Sequence, residues 1–434
     1  MGDLSVWPFW LSLAIFVITY VGILSERIHR TIVALSGAVF MIAIGSWFSF
    51  YDMHKAVEAI DFNTISLLLG MMIVVGMFKE TGFFQYLAIK AAKFARGKPW
   101  LLLVYLGLVT SLVSMVLDNV TTIIIMVPVT FSVADILGIP VLPFLMSEVL
   151  LSNIGGVATL IGDPPNILIG SAAGFSFTDF LTHLAPIVVV AWLLAQGLLL
   201  FIFRRSLAQK PTNVNRLMAM DEQKAIVDPL TTGRMLKVLG VTILLYLIHD
   251  RIGLDPGLVA LIGSCLGLLW VRPKLDRILS DIHWDVLLFF MSLFVIVGGL
   301  EAGGVLDLAG IGITHLTEHG MFLAVLVILW TGALASGVLS NVPFTIAMLP
   351  ILKGLASQGI PVAPLWWALA LGVGFGGNLT PIGAASNVLV VSLSESTGEP
   401  LTFKGWLRSG SVIALVTCVV GSAALLLALK LGLL

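Results

Sequence analysis

Two acids sit in company that gives them chemistry. Asp163 stands in the string GGVATLIGDPPN at 155–166, and Asp118 opens DNVTTIIIMVP at 118–128. Both strings lie inside apolar runs, where an ionisable side chain is costly and is a functional candidate by default. A carboxyl group shielded from water can exchange a proton as a solute comes and goes. Asp118 and Asp163 are therefore candidates for proton coupling, with Glu148 third. Uncharged hydrogen-bonding groups surround them: Asn119 and Thr121 beside the first acid, Thr159 and Asn166 beside the second. An amide offers two donors and an acceptor, and a hydroxyl plays both roles. Such a set suits reversible binding of a small polar solute.

Other chemistry is not encoded. There is no HExxH, GxSxG or P-loop string. Gly372, Gly374 and Gly377 fit GxGxxG, but inside an apolar helix with no preceding strand, so a nucleotide fold is excluded. Asn119-Val120-Thr121 and Asn378-Leu379-Thr380 fit the glycosylation pattern but lie at membrane depth. His315 and His319 read as exposed loop histidines without a third ligand. Cys265 and Cys418 give neither a zinc spacing nor a disulfide framework. No catalytic site, metal or cofactor is expected, and the chain is not read as an enzyme. The net charge of -1 offers no nucleic-acid surface.

The motifs recur. DNVTTIIIMVP corresponds to SNVPFTIAMLP at 340–350, and GGVATLIGDPPN to GGNLTPIGAASN at 376–387. GIP at 138–140 returns at 359–361, and Glu80-Thr81-Gly82 aligns with Glu301-Ala302-Gly303. The second copy supplies Ser340, Asn341, Asn378, Thr380, Ser386 and Asn387. It supplies no acid, because Ser340 and Ala384 replace Asp118 and Asp163. The substrate-binding set read from the sequence is thus Asn119, Thr121, Thr159, Asn166, Ser340, Asn341, Asn378, Thr380 and Asn387.

Helices must carry these residues, and the same strings break them. Gly155, Gly156, Gly162, Pro164 and Pro165 interrupt one helix; Gly376, Gly377 and Gly383 interrupt its mate. Freed backbone groups cannot face lipid, so each break must line a cavity. Hydrophobic residues make up 59% of 434, charged residues 11%, and mean hydropathy is +1.08, which places the chain in a bilayer. Ten full spans are expected, near 7–24, 31–50, 62–79, 142–172, 183–203, 236–249, 256–271, 284–302, 362–392 and 407–431. The stretches 99–137 and 321–358 are too long for one span and polar at their centres. Each reads as a re-entrant hairpin with its tip at Asp118-Asn119 or Ser340-Asn341. No Lys or Arg precedes the first apolar run, which reads as a retained span.

Charge orients the model. With both termini outside, all but four of the 23 Lys and Arg fall on the cytoplasmic side; Lys55, Arg251, Lys353 and Lys430 are the exceptions. Residues 1–205 form one repeat, 206–235 a cytoplasmic linker, and 236–434 the second repeat. Five crossings in each repeat turn the second upside down, the inverted architecture of secondary transporters. The fold class is all-α integral membrane, two inverted repeats with about ten transmembrane helices, two hairpins and two broken helices.

The strings NIGGVATLIGDPPN, DNVTT and SNVPF resemble the arsenite/antimonite permease and P-protein branch of the ion transporter superfamily. The resemblance spans essentially the whole chain. It implies a scaffold and a mobile domain of hairpins and broken helices, an elevator-like motion, often a homodimer, and a place in the plasma (inner) membrane. It implies a permease working alone on proton motive force or with a cytosolic ATPase subunit. The expected cargo is arsenite or antimonite, because a neutral trihydroxide suits Asn, Thr and Ser, and the four core strings hold no Lys or Arg. Alternatives are a sodium/proton antiporter, with Asp118 or Asp163 as ion ligand, and an anion carrier of the same superfamily. A purely structural membrane scaffold would leave the buried acids and breaks without a purpose.

Overall fold

The computed structural model describes residues 6–25, 27–395, 397 and 400–433, and among these the chain is helical with no strand. Eight helices are long and apolar enough to cross a membrane, and shorter apolar helices accompany them. The two halves match element for element. Val6–Leu24, Arg30–Trp47 and Phe62–Lys79 correspond to Pro229–Ile248, Pro256–Val271 and Trp284–Ala302. The first hairpin, Pro99–Ser114 with Asn119–Leu137, corresponds to Met321–Leu339 with Asn341–Ser357. The first broken helix, Leu142–Gly156 and Pro164–Ala173, corresponds to Ala363–Gly376 and Ala385–Ser394. Ala185–Ile202 corresponds to Val412–Lys430.

The scaffold helices pair across the repeats. Phe62–Lys79 packs on Pro256–Val271, and Trp284–Ala302 packs on Arg30–Trp47. Each hairpin instead packs on the broken helix of its own repeat, backbone against backbone. A Cβ on Gly155 would stand 2.7 Å from the Ser111 carbonyl oxygen, and one on Gly376 would stand 2.3 Å from the Ala333 Cα. Small residues permit that approach, as in other membrane helix pairs. Hydroxyls then tie the two together: Ser114 Oγ donates to the Ser152 carbonyl at 2.9 Å, and its mate Ser336 Oγ donates to the Val373 carbonyl at 2.7 Å.

Two expectations need correction. The segment 303–320 is not a loop: Val305–Glu318 is a helix, and it carries His315 with Glu318 beside it at 3.0 Å. Its mate is Phe83–Phe94, which buries Phe84, Ala88, Ala91 and Ala92 on one face. That spacing marks an amphipathic helix. Neither had the continuous apolar run by which spans were recognised. The linker is also shorter than 206–235, because Asp228 caps a helix that already begins at Pro229. What remains of the linker is docked, not free. The Thr212 N–H donates to the Leu137 carbonyl at 2.9 Å, and the Val227 N–H donates to Thr81 at 3.0 Å. Lys93 meets Glu222 at 2.5 Å and holds its carboxyl below the usual range.

Candidate functional site

Each helix break is held by one asparagine. Asn166 Nδ2 lies 3.3, 3.1 and 2.8 Å from the carbonyl oxygens of Gly156, Val157 and Thr159. Asn387 Nδ2 lies 2.7 and 3.0 Å from those of Gly377 and Thr380. These carbonyls lost their helical partners when the chain left the helix, and a buried orphan costs about 1–3 kcal/mol. Thr159 Oγ1 donates to the Met115 carbonyl and Thr380 Oγ1 to the Gly337 carbonyl, tying each break to its hairpin. Asn378 Nδ2 donates to the Leu150 carbonyl at 3.1 Å. Asn166, Asn387, Thr159, Thr380 and Asn378 therefore spend their donors on backbone. They shape the breaks from behind, where the sequence reading had them face the substrate.

The groups left over meet in one cavity of ≈ 230 Å³. That is room for a small solute. Both tips reach it, with Asp118 and Asn119 from the first hairpin and Ser340 and Asn341 from the second. Both breaks reach it too, with Asp163, Pro164 and Ser386. Helices Phe62–Lys79 and Trp284–Ala302 close the scaffold side with Met71, Met72, Phe289 and Phe290.

The acids differ in what they do. Asp118 is a helix cap: its carboxylate accepts from the Thr121 N–H at 2.9 Å and Thr121 Oγ1 at 2.6 Å. That explains Thr121, which serves the cap. Asp163 precedes Pro164 and Pro165, which have no N–H, and makes no side-chain cap bond. It is 1% exposed, Asn341 Nδ2 approaches its oxygens at 3.4 and 3.5 Å, and Asn119 of the other tip lines the same cavity. Among the described residues no Lys, Arg or His pairs with it. Glu148 lies outside the cavity, fully buried, with Thr130 Oγ1 on one oxygen and no partner on the other. At the second tip Ser340 holds φ 69° and ψ 150°, a region that disfavours residues with a Cβ. Strain of that kind collects where a backbone is shaped for binding.

Two residues escaped the sequence reading. Asn153, 1% exposed, is the hub of the site: its Oδ1 accepts from Asn119 Nδ2 at 3.0 Å and Ser386 Oγ at 2.8 Å. Its Nδ2 donates to Asn378 Oδ1 and Asn387 Oδ1, both at 2.8 Å. The repeat gave no signal, because its mate is Gly374. Arg30 also lines the cavity, with its guanidinium 5.4 Å from the Phe289 ring, and His283 stands beside it on the wall. Arg30 had counted only as a loop charge. Arg30 also lines an adjoining cleft together with His29 and Ser340.

The profile of the CitMHS citrate transporter family matches residues 20–372. A 46 kDa membrane protein of Mycobacterium leprae is 40% identical over 415 residues, covering 94% of this chain and 96% of that one. The human P protein is 31% identical over 504 residues, covering 96% of this chain and 60% of the P protein. Among solved structures, the YdaH transporter of Alcanivorax borkumensis superposes with a TM-score of 0.63 at 15% identity, covering 93% of this chain and 99% of that one. Its described topology is unusual, and the likeness concerns the fold.

Proposed function

This chain belongs to the citrate transporter (CitMHS) family of multi-pass membrane transporters, and from that premise we propose that it is a secondary active transporter that exports arsenite or antimonite in exchange for protons. The observation that carries the reading is the single cavity shared by both hairpin tips and both breaks, with Asp163 buried in it and unmatched by a cation. A carboxylate so placed needs either a proton or hydrogen bonds donated by the hydroxyls of a bound cargo. Alternation of the two is a coupling device. The hairpins and broken helices would move as one body against the scaffold, which the cross-repeat pairing of scaffold helices favours.

Flux into everted vesicles tests the reading directly. Arsenite uptake driven by an imposed pH gradient is expected; sodium or citrate uptake without arsenite uptake would overturn it. A second reading, an anion carrier, is favoured by one observation, the guanidinium of Arg30 on the cavity wall.

Trivalent arsenic binds thiolates tightly, yet no thiol reaches this cavity. Cys265 lies on scaffold helix Pro256–Val271, and Cys418 is buried in Val412–Lys430. The double variant Cys265→Ser, Cys418→Ser should transport arsenite near the wild-type rate. Loss of transport in that folded variant would place the cargo on sulfur. The same cysteine-free background tests orientation. Single cysteines at 213 and 312, both exposed positions, should label from opposite faces of intact cells. Labelling from one face would overturn the inverted-repeat topology.

A further inference from the structure

The polarity of the hydrogen bonds behind the cavity can be read without choosing any amide orientation by hand. It starts at backbone carbonyls, which only accept. The carbonyls of Gly377 and Thr380 require the Nδ2 of Asn387, and the carbonyl of Leu150 requires the Nδ2 of Asn378. Both asparagines must then turn Oδ1 the other way, toward Asn153. Two acceptors facing one amide require its donors, so Asn153 presents Nδ2 to them. Its Oδ1 is left on the opposite side, where it requires donors in turn. Ser386 Oγ and Asn119 Nδ2 supply them. Asn119 keeps one further N–H, and the Asp163 carboxylate is an acceptor in the same cavity.

With its Nδ2 turned to Asn153, Asn119 leaves its carbonyl oxygen unclaimed by the relay. Ser386 has given its hydrogen and keeps only lone pairs. Asp118 and Asp163 offer oxygens. Asn341 Nδ2 points at Asp163, which leaves the Ser340 hydroxyl, a donor as well as an acceptor, beside these oxygens. We propose that Asn153 is a positioning residue that fixes Asn119 by this relay, so that the floor accepts hydrogen bonds and takes a neutral, hydroxyl-bearing solute in preference to an anion. This deepens the metalloid reading and rests on it. Arg30, on the cavity wall, is then not among the groups that hold the cargo.

The experiment measures arsenite and citrate affinity at neutral pH on detergent-purified protein by titration calorimetry, for wild type and two Asn153 variants. The wild type should bind arsenite more tightly than citrate. Asn153→Asp keeps the acceptor that Asn119 and Ser386 use, so the preference should persist even where stability falls. Asn153→Leu removes that acceptor and frees the Asn119 amide to turn, so the ratio should fall by about tenfold, the worth of one buried hydrogen bond. A folded Asn153→Leu protein with an unchanged ratio overturns the relay. Should that variant fail to fold, a wild type or Asn153→Asp protein that prefers citrate overturns it equally. Sodium is the third titrant. Tight sodium binding with citrate excluded would keep the acceptor floor and overturn arsenite as cargo.

Discussion

Asp163→Asn is expected to abolish transport driven by a pH gradient while leaving the protein folded. The amide has the shape of the carboxylate and can still accept from Asn341, but it cannot take up and release a proton. No helix cap is lost, because Asp163 makes none, and Pro164 and Pro165 have no N–H to offer. Asp118→Asn should cost only a few fold. Its oxygens serve the Thr121 N–H and hydroxyl, and Asn caps a helix about as well as Asp. Proton movement followed with a pH-sensitive dye in proteoliposomes distinguishes the two. Wild-type pH dependence in Asp163→Asn would remove this acid from coupling and leave Glu148, whose second carboxyl oxygen has no partner.

The largest effect on stability should come from Asn166→Ala. Its Nδ2 serves the carbonyls of Gly156, Val157 and Thr159, and no water reaches that place to replace it: Asn166 is 1% exposed. Orphaning buried carbonyls costs about 1–3 kcal/mol each. Two or three together approach the roughly 5–15 kcal/mol that separates a folded domain from its unfolded state. Asn166→Asp should be as damaging or worse, since it turns oxygen toward oxygen at unchanged volume. Asn387→Ala should behave alike and also strip Asn153 of a partner. Size-exclusion profiles and thermal melts in detergent give the readout. An Asn166→Ala protein that melts like wild type but no longer binds arsenite would make Asn166 a cargo ligand and not a clamp.

The chain's own letters determined the architecture. Apolar runs of bilayer length, interrupted at Gly and Pro, dictate helices that must break, because only helices and closed barrels satisfy their polar groups in lipid and runs of this length fit helices. The repeated strings dictated that both breaks and both tips come in matched pairs. That pattern is local or periodic, so it can be read one residue at a time. The amphipathic helices Phe83–Phe94 and Val305–Glu318 were harder to read, since only half of each face is apolar. Which polar group faces the cavity was decided by tertiary structure. Asn166 and Asn387 looked equal to Asn119 and Asn341, but the first pair stands within reach of freed carbonyls and the second at the hairpin tips. Asn153 had no repeat mate to announce it, and Arg30 lies far from the motifs along the chain. An amide has two faces, and a sequence does not say which neighbours will claim each one. Only packing brings Leu150, Asn378, Asn387 and Ser386 around Asn153, and only then does the direction of every hydrogen bond in the relay follow.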